Sequence, residues 1–157
     1  MTEIDLFQAI RQNDTDFFYS HIDNIDVNQI DEDGQNLLHE AVAYSRNQLA
    51  KDLIARNINV NHKDVNSQTP LHYAANNKEI ELARLILNNG GDLNIEDKYG
   101  NQPLWTAVFN AKGDYEMVKQ FMGFNPDINH KNKAGKSPLD FAQQINDQEL
   151  ISILKNA

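Results

Sequence analysis

The chain of 157 residues is expected to fold as an all-α repeat solenoid, and three observations point that way. First, one segment recurs at Asn36–Val42, Thr69–Ala75, Gln102–Val108 and Ser137–Ala142, with its leucines at 38, 71, 104 and 139, steps of 33, 33 and 35. A near-constant period of this size marks stacked supersecondary units and argues against a single globular core. Second, each copy is followed by a second short apolar-periodic stretch, so each unit reads as a pair of helices too short to be stable alone in water. Third, polar segments rich in Asp, Asn and Gly separate the units, which is turn chemistry.

The elements follow in order. Residues 1–30 form a degenerate first unit, with Leu6, Ala9 and Ile10 facing Phe17, Phe18 and Ile22, closed by Asp26-Val27-Asn28. Residues 31–63 predict helices near Leu37–Tyr44 and Gln48–Arg56. Residues 64–96 show the pattern most clearly. Thr69 is a good N-cap and Pro70 suits the first helical position. Leu71, Ala74 and Ala75 share one helical face, Asn76-Asn77-Lys78 breaks the helix, and Ile80 to Leu87 form its partner. Gly90-Gly91 then supplies a left-handed C-terminal cap. Residues 97–131 predict helices at Pro103–Phe109 and Tyr115–Met122, and residues 132–157 at Pro138–Gln144 and Glu149–Lys155. Gln143, Gln144, Asn146 and Glu149 give that last unit the polar outer face of a cap.

Composition narrows the function classes. Hydrophobic residues are 40% and charged residues 24% of the chain, too apolar for disorder. Without cysteine there are no disulfides, thiolate chemistry or cysteine-ligated zinc. The start, Met1-Thr2-Glu3-Ile4-Asp5, is acidic and carries no secretory pattern, and no apolar run approaches the ~20 residues of a membrane span. A cytoplasmic location and no membrane partner are expected. The net charge of −9 is uneven: residues 1–66 carry 12 acids and 5 Lys/Arg, residues 67–157 carry 11 acids and 9 Lys/Arg. Such a surface repels phosphate, so no nucleic-acid partner is expected, and it steers toward a basic protein.

Thr69-Pro70-Leu71-His72-x-Ala74-Ala75, the helix after it and Gly90-Gly91-Asp92-Leu93-Asn94 closely resemble the ankyrin repeat, and the resemblance spans the whole chain. It implies about five units, stacked helix pairs with short β-hairpin fingers, in a single domain. It also implies a non-catalytic protein–protein interaction module that binds through its concave face and finger turns. The chain departs from the family pattern in places. Asn36-Leu37 replaces Thr-Pro, Ser67 replaces the turn glycine kept at Gly34, Gly100 and Gly135, and Trp105 and Asp140 stand where the family prefers histidine. Two extra residues lie between Phe109 and Asp114, in a connection expected to bulge.

The resemblance disposes of several apparent sites. His39 and His72 fill the family's structural histidine slot. His62 and His130 read as exposed finger residues too far apart to share a metal. Gly135-Lys136-Ser137 lacks the earlier glycine of a phosphate loop, since His130 stands there. No catalytic, cofactor or metal residue is expected. Carried over position by position, the partner-binding residues are Glu32, Asp33, Gln35, Glu40 and Tyr44, then Asn66, Gln68, Tyr73 and Asn77, then Tyr99, Trp105 and Phe109. Their aromatic members, of types enriched at binding hot spots, are expected to line one concave strip with an acidic end. The chain also looks like small stand-alone bacterial ankyrin proteins, some of which neutralise a companion toxin, so an immunity role against a basic toxin or enzyme is the alternative. A scaffold bridging two partners is more remote. The protein alone is expected to be monomeric.

Overall fold

The structure is a computed structural model that describes residues 5–156. These form ten α-helices: α1 Leu6–Gln12, α2 Thr15–His21, α3 Leu37–Ala43, α4 Asn47–Ala55, α5 Pro70–Asn77, α6 Ile80–Asn88, α7 Pro103–Phe109, α8 Glu116–Met122, α9 Pro138–Gln144 and α10 Gln148–Lys155. One 3₁₀ turn, Ile22–Asn24, follows α2. The odd-numbered helices stack in an inner row, α1 on α3 on α5 on α7 on α9. The even-numbered helices α4, α6, α8 and α10 form an outer row. The core runs between the two rows in repeating register. Leu38, Leu71 and Leu104 come from the inner row, and Leu53, Ile86, Phe121 and Leu154 from the outer row. No helix of the described residues is long and apolar enough to cross a membrane.

Local chemistry explains the helix ends. Asn36, Thr69 and Ser137 each cap an inner helix, and the residue three positions on reaches back to close a capping box: His39, His72 and Asp140. Pro70, Pro103 and Pro138 occupy the first turn. The outer helix α6 ends on Gly90 at φ +93°, and the N–H of Gly91 bonds the Ile86 carbonyl at 2.8 Å. Each inner-to-outer connection turns on one left-handed residue, Asn13, Ser45, Lys78 or Asn146. The longer fourth connection, from α7 to α8, uses two, Lys112 and Gly113. It protrudes at Lys112 and Gly113, yet Ala111 beneath them is buried, and Lys78 Nζ donates to the Ala111 carbonyl at 3.3 Å.

Each finger is a tight turn closed by one backbone bond across its base, from the first residue's N–H to the fifth residue's carbonyl at 2.9–3.0 Å. Finger 1 is Asp31–Gln35, finger 2 Asp64–Gln68, finger 3 Asp97–Asn101 and finger 4 Asn132–Lys136. In each, the first side chain accepts from the backbone N–H groups two and four residues on, at 2.8–3.1 Å. That turn and the single bond across its base leave each finger shorter than a regular strand pair. The described residues hold one antiparallel bridge, Ile30 to Asn36, and no strand. Single backbone bonds link neighbouring fingers instead: Val65 N–H to Asp33 O, Lys98 N–H to Asn66 O and Lys133 N–H to Tyr99 O, at 2.9–3.0 Å.

Candidate functional site

The candidate surface is the inner-helix face with the row of fingers beside it. Its rigidity comes from buried histidines. His39 Nδ1 accepts the Asn36 N–H at 3.2 Å, so Nε2 carries the proton and donates to the Gln68 carbonyl of finger 2 at 2.9 Å. His72 repeats this one unit on, with Thr69 N–H at 3.1 Å and the Asn101 carbonyl at 2.9 Å. Burial outweighs those carbonyl bonds and pushes His39 down to about 4; His72 is lowered for the same reason. Both rings are therefore neutral structural ties, as the family slot implies.

The finger histidines are a correction. His62 and His130 are half-buried and not exposed. His62 Nε2 lies 2.8 Å from the Gly34 carbonyl, and His130 Nε2 lies 3.2 Å from the Gly100 carbonyl and 2.8 Å from Glu96. Each reaches back to the preceding finger's left-handed glycine, and the shared distance from finger glycine to histidine, 28 and 30 residues, was the available signal. Among the described residues, no group of three or more His, Asp or Glu side chains is placed to hold a metal ion.

The candidate partner-binding residues separate into three settings. Glu32 and Asp33 are exposed at the tip of finger 1, and neither has an ion-pair partner among the described residues. Tyr44, Asn77, Tyr99 and Phe109 are exposed. Gln35, Asn66, Gln68, Tyr73 and Trp105 are half-buried.

Glu40 is a correction of a different kind: it is 4% exposed and held by Arg11 of α1 through two bonds of 2.7 and 3.1 Å. The Glu40 bond raises the guanidinium's affinity for its proton. The carboxylate is thus committed to joining the first unit to the second and is not available to a partner. Tyr73 is partly committed too. Its hydroxyl donates to Asp64 at 2.7 Å and its ring sits 4.9 Å from His39; burial and that bond raise its pKa.

The aromatic residues sit on the inner helices and on a finger tip. Trp105 and Phe109 both pack on Phe141 of α9, at ring separations of 5.6 and 5.4 Å. Tyr99 stands on the tip of finger 3 with Lys98 Nζ 5.0 Å above its ring. Phe141 belongs to the candidate surface and could have been found from register, since it follows Leu139 as Tyr73 follows Leu71. Between these regions, Ala43, Gln68, His72, Tyr73, Asn76 and Asn77 line a shallow groove of ≈ 350 Å³ along the inner helices.

Stacked helix pairs, capped in register and tied finger to finger, define a repeat solenoid that presents a continuous surface. Against known families, the description "Ankyrin repeats (3 copies)" matches residues 6–97 and again 45–118. The chain belongs to the ankyrin-repeat family, whose repeats are generally protein–protein interaction modules. Comparison with curated proteins returned no match.

Proposed function

We propose that the chain is a non-catalytic binding module that holds a partner protein between the finger row and the inner-helix face. The observation that carries this reading is the surface's composition. The groove at Tyr73–Asn77 opens between an acidic tip, Glu32-Asp33, and an aromatic patch where Phe109 is 52% exposed. Desolvated aromatic residues with charges at the rim are what a protein interface uses. The rim acids favour a basic partner and make association salt-sensitive. A second reading, inhibition of a basic companion toxin or enzyme in the manner of small bacterial ankyrin proteins, draws on the same unpaired acids.

Affinity capture from the source cells supplies the partner for the test. Reversing Glu32 and Asp33 to lysine should weaken binding about tenfold and flatten its salt dependence. Trp105→Ala should weaken it further with the salt dependence intact. A partner that binds the combined variant as tightly as the native chain removes this surface from consideration.

A further inference from the structure

The row of finger tips changes sign along its length. In register, the second tip position is Glu32, Val65, Lys98 and Lys133. The third is Asp33, Asn66, Tyr99 and Ala134, and the fifth is Gln35, Gln68, Asn101 and Lys136. Finger 1 therefore presents two carboxylates and finger 4 two ammonium groups, and none of the four has an ion-pair partner among the described residues. Of the other charges beside the fingers, Lys131 is paired with Asp140 at 2.8 Å and Glu96 lies 2.8 Å from His130, while Lys63 and Lys98 are exposed and carry no ion pair among the described residues. Between the charged ends stand two exposed apolar side chains, Val65 at 66% and Tyr99 at 59%, and Lys98, whose Nζ lies 2.8 Å from Asn66 Oδ1 and 5.0 Å from the Tyr99 ring. The backbone bonds from finger to finger hold all four tips in one line.

We propose that this row pairs with the same row of a second copy, antiparallel about a two-fold axis between fingers 2 and 3. Such an axis sets finger 1 against the other copy's finger 4 at both ends, so each pair of carboxylates meets a pair of ammonium groups. It also sets Val65 and Tyr99 against the other copy's fingers 3 and 2. A surface whose two charged ends complement one another on reversal suits an isologous interface. A foreign protein would have to reproduce this sequence of charges, which a second copy already carries. Four tips at a helix-stacking distance of ~10 Å make a strip only ~30 Å long. That is less than the roughly 800 Å² per partner of a stable complex, so the dimer is weak and salt-sensitive. The row shares Glu32 and Asp33 with the partner reading but not Asn77, Trp105 and Phe109 of the inner helices, and sedimentation of the chain with no partner present tells the two apart.

Sedimentation of the whole chain tests this. The native chain should show monomer–dimer exchange at low salt, weakened more than tenfold between roughly 50 and 500 mM salt. The variant E32K/D33K makes both ends basic, and K133E/K136E makes both acidic. Each alone should stay monomeric with native circular dichroism, and an equimolar mixture should form a one-to-one heterodimer. The proposal is overturned if the native chain stays monomeric at about 1 mM, if the folded variants fail to associate on mixing, or if assembly runs past the dimer into open chains.

Discussion

Two neighbouring seams of the stack are built on opposite principles. Between α5 and α7, a buried imidazole at the third helical position closes a capping box and ties finger 3 through the Asn101 carbonyl. Between α7 and α9, the same position is Trp105. Its helix has no side-chain N-cap bond, and the ring packs on Phe141. One seam satisfies buried backbone groups with a fixed polar geometry. The other gives up that tie and gains half-buried aromatic surface on the inner-helix face. Directional bonds make a solenoid rigid, and a unit that relinquishes them is where an interaction surface can be placed.

The largest expected effect comes from removing the polar tie. His72→Ala deprives the Thr69 N–H and the Asn101 carbonyl of a partner and opens a cavity, so it should lower stability by about 2–4 kcal/mol in urea unfolding. Trp105→Ala removes half-buried surface only and should cost about 1–2 kcal/mol. Equal losses would erase the distinction between the seams.

Acid should separate them as well. His39 titrates near 4 in the fold against about 6.5 unfolded, so the unfolded chain takes up its proton first. Stability is then full above pH 6.5 and falls as pH drops toward 4, by on the order of 3 kcal/mol; His72 acts in the same direction. At the last seam, bonds from Lys131 and the Ser137 cap lower Asp140 to about 2, so its contribution is intact through that window and is lost only between about pH 4 and 2. Trp105 is the only tryptophan in the chain, and its emission can be followed beside helical circular dichroism. A change in emission that precedes the loss of helix on acidification would reverse the expected order.

The smallest effect concerns finger 2, where Ser67 sits at φ +59° in the place its neighbours give to glycine. Ser67→Gly should raise the unfolding midpoint by the equivalent of about 1 kcal/mol, and no gain would mean that the serine side chain relieves the strain locally.

Much of this architecture could be read from residue order. The period of the leucines, Thr69-Pro70 and Ser137-Pro138 at helix starts, and Gly90 at a helix end are local signals, and the helices lie within a residue or so of the positions they indicate. The site was less legible. Glu40 occupies the same register as Tyr73 and Phe141, and nothing near it in the chain shows that Arg11, 29 residues earlier, captures its carboxylate. His62 and His130 read in sequence as exposed finger residues, and only the stacking of fingers puts the preceding finger's carbonyl beside each.

The amino-acid sequence alone determined the repeat, the helix pairs and their caps, because those depend on interactions within a few residues and on a pattern repeated in register. Tertiary structure decided which side chains remain available. Stacking brings residues about 30 positions apart into contact. That distance in the chain turns Glu40 into an internal ion pair, splits the aromatic residues between finger tip and seam, and aligns four separate turns into one row that runs from acid to base.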